Sequence, residues 1–180
     1  KWRTLSYNQY MSWQFLLTFS HIIGTVLGVG GATFAEFFYL KALKDGHVDP
    51  EEGDFLKATY RVLRIGMALL ILSGFGFFVL YRIGGRTELL YDPRFLAKLT
   101  LTAIIFFNAL LLQIKKMPLW LGSALSFTSW YGALMLGAWR GIDASYFTIL
   151  ASYAGAVLMV AFVLHIIRKI NLKPIPPASS

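Results

Sequence analysis

Six side chains sit where polar chemistry is costly. His21, Glu36, Arg64, Lys98, Asn108 and His165 fall within or at the ends of long apolar runs, and a polar or ionisable group there usually faces a bundle interior, because hydrocarbon offers it no partner. His21 is followed by Gly24, Gly28 and Gly31 at offsets of three, seven and ten residues, which fall on one helical face. An imidazole beside a face without side chains would let the flat macrocycle of haem lie against the helix, with His21 as the axial ligand to its iron. The same residues also suit a plainer role, a histidine hydrogen-bonded to a neighbouring helix above glycines that permit close packing.

Lys98 follows Pro93 by five residues, and Thr102, Ile105 and Asn108 continue at helical spacing on its side. Roughly 13 Å separates His21 from Ser12 and roughly 8 Å separates Lys98 from Pro93 along their helices, so the two could meet in one outer-leaflet cavity. There Lys98 could hold a propionate or an anionic substrate, or donate a proton. It could equally snorkel to the headgroups. Glu36 and Arg64 stand near the inner ends of consecutive antiparallel runs and are expected to form a structural ion pair. His165, close to Arg168, reads as a surface histidine beside a basic tail. The segment Asp45 to Glu52 lacks the first oxygen ligands of a calcium loop, which would fall on Lys41 and Leu43. It reads instead as a turn with Asp49 as a helix cap before Pro50.

The elements that must position these residues follow from composition. Of the 180 residues 57% are hydrophobic and 14% charged, against about 25% charged in an ordinary soluble domain. That balance excludes a typical cytosolic enzyme and a disordered chain. Five apolar stretches, near 12–42, 60–82, 94–114, 118–139 and 145–168, are each long enough to cross about 30 Å of hydrocarbon. Short links favour antiparallel neighbours, so the expected fold is all-α, an up-down bundle of five transmembrane helices. Residues 1–11 read as an interfacial segment, 12–168 as a single domain and 169–180 as a disordered tail. Lys and Arg punctuate the runs and do not cluster on one soluble face, so the net charge of +8 reports topology and not nucleic-acid binding. Ten of them fall on the side of the first and third links and six on the other, with Lys98 inside a span. The N-terminus is therefore expected outside and the C-terminus in the cytoplasm of a cell inner membrane. With no cysteine, a metal would have to rest on His, Met, Asp or Glu.

The run from His21 to Gly31, the run from Arg61 to Gly74 and the segment Phe95-Leu-Ala-Lys98-Leu-Thr-Leu101 resemble the superfamily of membrane haem-type protoporphyrinogen IX oxidases and copper-resistance D permeases. The likeness covers the first three spans. It implies a b-type haem within the bundle, with His21 and Lys98 as the functional pair. The oxidase branch's closing Asn-Glu-x-Pro element is missing, and the fifth span exceeds that branch's four, so the resemblance implies haem binding more than the oxidase reaction.

The leading expectation is a membrane protein binding haem b through His21, with Gly24, Gly28, Gly31 and Asn108 around it and Lys98 in a catalytic role. It would serve electron transfer or porphyrin redox chemistry with a small-molecule redox partner. A second is an ion or metabolite permease in which Lys98, Thr102 and Asn108 line a pathway. A third is a non-catalytic subunit whose glycine faces pack against partner helices or a second copy. Membrane lipid surrounds the chain in all three.

Overall fold

The computed structural model describes residues 7–45, 49–139, 141 and 143–171. The first six residues, His47 with its neighbours in the first link, Arg140, and the tail beyond 171 lie outside the described residues, and with them most of the expected terminal segments.

Five helices account for the expected runs: α1 (Tyr7–Asp45), α2 (Pro50–Ile83), α3 (Pro93–Gln113), α4 (Leu119–Ala138) and α5 (Tyr146–Asn171), with a short 3-10 turn at Thr87–Tyr91. Among the described residues there is no strand. α1, α2, α3 and α5 are each long and apolar enough to cross a membrane, so the chain is a multi-pass membrane protein with an all-α bundle. Phe15, Phe19, Val26, Leu72, Phe75, Leu158 and Phe162 are exposed on their outer surfaces, where lipid tails replace water.

α1 and α2 run past their expected limits. Their 39 and 34 residues correspond to about 58 and 51 Å at 1.5 Å per residue, more than the hydrocarbon needs. α2 starts ten residues early because its local chemistry favours it. Asp49 caps it in a capping box, Pro50 occupies the first turn, and the Glu52 carboxylate accepts the Asp49 backbone N–H at 3.4 Å. The emerging ends are tied together by Lys41 on Glu52 at 3.3 Å and by the stacked rings of Phe38 and Phe55.

Helix ends elsewhere close in recognisable ways. After α2, Gly85 takes a positive φ of 68° while the Arg86 N–H reaches back to the Tyr81 carbonyl at 3.0 Å. After α3 the same 6→1 closure runs from the Lys116 N–H to the Leu111 carbonyl at 2.9 Å, but the left-handed residue is Lys115, φ 56°. Asp92 caps α3, accepting the backbone N–H groups of Arg94 and Phe95, and Arg94 folds its guanidinium onto the same carboxylate at 3.0 Å. These bonds hold the Asp92 carboxyl below its ordinary value, the Arg94 side chain being the chief cause.

The order of packing departs from a simple meander. α1 lies along α2, whereas α4 touches α1, α3 and α5, and α2 meets α3 only sparsely. α4 is thus the internal helix. It is not among the four span-length apolar helices named above, and its buried face carries Gly122, Thr128, Ser129 and Trp130. Its hydroxyls are internally satisfied, Thr128 on the Ala124 carbonyl at 2.8 Å and Ser129 on that of Leu125 at 2.6 Å. Tyrosines join it to its neighbours: Tyr131 to Thr33 of α1 at 3.0 Å and Tyr153 of α5 to Ser129 at 2.7 Å.

Candidate functional site

His21 faces α2. Its Nδ1 is 2.8 Å from Ser73 Oγ, and Phe77 meets the ring edge-on. The Ser73 hydroxyl donates to the Leu69 carbonyl at 2.6 Å, so its proton is committed. With Nδ1 carrying the hydrogen and donating to Ser73, the Nε2 lone pair is left free. Among the described residues no hydrogen bond reaches Nε2.

The glycines beside His21 serve helix packing. Gly24 and Gly28 meet Gly66 of α2 so closely that a Cβ on Gly66 would stand 2.8 Å from the Gly28 nitrogen and 2.9 Å from the Gly24 carbonyl oxygen. The Trp130 ring covers Gly28, and Leu63 covers Gly31, where a Cβ would approach to 2.7 Å. Trp130 is 1% exposed and, with Ala32, Leu70 and Ile105, forms the core between α1, α2, α3 and α4. A b-type haem needs an axial donor and a slot for its macrocycle. His21 fits as the donor, while the face of Gly24, Gly28 and Gly31 is filled by protein. Among the described residues no three His, Asp or Glu side chains gather as a metal-binding group.

Lys98 is half-buried on α3, which makes no close backbone contact with α1 among the described residues. The Thr102 hydroxyl turns back to the Lys98 carbonyl at 2.8 Å. Asn108 lies roughly 15 Å further along α3 than Lys98, in a different part of the bundle.

Asn108 belongs to a different feature. A cleft of about 370 Å³ runs between α2, α3 and α4, walled mainly by apolar side chains including Met67, Ile105, Leu112 and Trp130, with Tyr60, Arg64, Gln113, Ser126 and Asn108 among its polar residues. Asn108 is 3% exposed. Its Nδ2 donates to the Gly122 carbonyl at 2.8 Å, an acceptor that fixes which end of the amide points there. Its Oδ1 is buried with no hydrogen-bond partner. Arg64, expected to pair with Glu36, lines this cleft instead and makes no ion pair among the described residues.

Glu36 is held by Arg168 of α5, Nη2 to Oε1 at 2.7 Å, with both side chains buried. The same nitrogen donates to Ser123 of α4, and the guanidinium lies 4.9 Å from the centre of the Tyr39 ring. The expected Glu36–Arg64 pair thus gives way to one across 132 residues. Helix facing explains the exchange: Arg64 is exposed, whereas Arg168 is 8% exposed. His165 is exposed, as a surface histidine would be.

Ser73, Trp130 and Arg168 were not singled out by sequence reasoning. Trp130 carried a usable signal, a tryptophan in mid-span away from the interfacial belts where tryptophan concentrates. Compared with family models, curated proteins and solved structures, the chain finds no match in any of the three.

Proposed function

We propose that this multi-pass membrane protein binds a small amphipathic molecule, with the cleft between α2, α3 and α4 as its site, a function of the carrier or metabolite-binding class. The observation that carries the reading is Asn108 Oδ1, a buried acceptor without a partner in the wall of an apolar cleft of about 370 Å³. Leaving such a group unpaired costs about 1–3 kcal/mol, and a ligand that donates to it recovers that cost. Small-molecule sites typically combine an apolar lining with a few placed polar groups. Mass spectrometry of organic extracts tests this directly: the detergent-purified wild type should retain a small molecule that Ala109→Phe, whose ring occupies the cleft, does not. Equal retention by both proteins, or none by the wild type, overturns the reading.

The hydrogen bond between His21 and Ser73 favours a second reading, the b-type haem that the family resemblance implies. His21 would be its axial donor through Nε2, with the second nitrogen oriented by Ser73 in the manner of metal-bound histidines, and Lys98 would offer a cation to a propionate. Haem would supply electron transfer or porphyrin redox chemistry. A Soret band that shifts with dithionite and is lost in His21→Ala supports it; a colourless protein expressed with ample haem rejects it.

For either reading we place the N-terminus outside an inner membrane and the C-terminus in the cytoplasm, on the excess of Lys and Arg at one side. The chain has no cysteine, so single cysteines at Glu88 and at Lys116 should label with an impermeant maleimide from outside and from inside respectively. The opposite pattern reverses the orientation.

A further inference from the structure

The chemistry of the occupant can be taken further, resting on the cleft reading above. We infer that the cleft binds a single-chain anionic lipid bearing a hydroxyl group close to its charged head, which enters sideways from the bilayer between α2 and α3.

Three observations converge on this class. Asn108 Oδ1 accepts and cannot donate, and its amide partner nitrogen is already engaged by Gly122, so the occupant must present an O–H or N–H at that depth. Arg64 lines the same cleft with no ion pair among the described residues, which calls for an anion. Asn108 and Arg64 line one cleft of about 370 Å³, so the donor and the anionic group belong to one compact head. Beyond Asn108 the walls at Met67, Ile105 and Trp130 are apolar and suit a hydrocarbon chain.

The route of entry follows from the packing. α1 covers α2 along its length and α4 covers α3, but α2 and α3 meet only sparsely. Phe106 and Leu110 line the cleft and are also exposed on the outer surface, so a chain too long for the cleft can trail past them into lipid. A diacyl lipid would need room for two chains at one narrow gap. A soluble anion would leave the apolar walls uncovered.

Lysophosphatidate with one oleoyl chain has the required parts, a phosphate, a neighbouring hydroxyl and a single tail. Native mass spectrometry of the full chain in detergent measures its affinity against two controls: the 2-deoxy analogue, which lacks only the hydroxyl, and monoolein, which lacks only the phosphate. The wild type should bind lysophosphatidate with 1:1 stoichiometry and the 2-deoxy analogue at least about fivefold more weakly, as expected when a buried acceptor is left without its donor. Asn108→Leu should abolish that difference, and Arg64→Gln should abolish the preference over monoolein. Equal binding of the 2-deoxy analogue by the wild type, as when a water satisfies Asn108, overturns the inference, as does a preference for monoolein. That arm needs no variant and survives a failure of Asn108→Leu to fold. If the organic extract holds a cleft ligand that Ala109→Phe loses, yet lysophosphatidate does not bind, the ligand class is wrong and the cleft reading stands. If neither result appears, both fall.

Discussion

Removing the Arg168 side chain should unfold this protein more readily than removing any other cation in it. The guanidinium lies 2.7 Å from Glu36, with side-chain exposures of 10% and 7%. At an effective dielectric of about 20 the attraction at that distance is about 6 kcal/mol. Desolvating each ion costs several kcal/mol, so the pair as a whole contributes little. Breaking it is another matter, because Arg168→Ala leaves Glu36 charged, buried and unpaired, along with Ser123 and the Tyr39 face. The expected loss is about 3–5 kcal/mol, read by tryptophan fluorescence during SDS titration of protein in mixed micelles. Replacing both partners, Glu36→Leu with Arg168→Leu, should recover most of it, whereas Arg64→Ala should cost under about 0.5 kcal/mol. A double-mutant cycle completes the test. Coupling of Glu36 to Arg64, or an Arg168→Ala loss no larger than that of Arg64→Ala, would refute the assignment.

Three further outcomes are expected. Gly66→Ala should cost about 1–3 kcal/mol, since its Cβ meets the backbone of Gly24 and Gly28, and Gly28→Ala should do the same against Trp130; Gly74→Ala, with no atom within 4 Å of its Cβ, should gain up to about 1 kcal/mol, so similar losses at all three in thermal melts would contradict the packing described. Lys115→Gly should stabilise by about 1 kcal/mol, relieving the left-handed backbone, and a lower melting temperature would argue against that conformation. Asp92→Ala should cost about 0.5–2 kcal/mol as a lost cap; because the folded carboxyl lies below its ordinary value near 3.8, that stability is present above pH 4 and is lost as the pH falls through the folded value. Melts of the wild type and Asp92→Ala should therefore differ at pH 7 and converge in acid, and a gap unchanged at pH 2 would show that the carboxylate charge plays no part.

How much was legible in advance depended on whether one helix or several decided the outcome. The five helices were readable because apolar length is a property of a single segment, and the Asp49-Pro50 start was readable because a cap is local. The shared face of His21 and its glycines was also local; what fills that face was not, since Ser73, Leu63, Gly66 and Trp130 arrive from two other helices. Glu36 shows the limit most plainly. Sequence proximity and antiparallel order pointed to Arg64, but the partner is set by which way α5 turns its last buried cation. Asn108 was visible as a polar residue in a span, yet its unsatisfied oxygen depends on Gly122 claiming the other end of the amide.

α4 also has a bearing on how the protein is made. Its 20 residues touch α1, α3 and α5, so its buried face is completed in two stages as the chain emerges. α1, α2 and α3 precede it, and α5 comes seven residues behind it. A nascent chain ending at Ala138 can already seat Trp130 over Gly28 but lacks the Tyr153 hydroxyl that meets Ser129. Release of the last helix therefore closes the remaining face of the internal one.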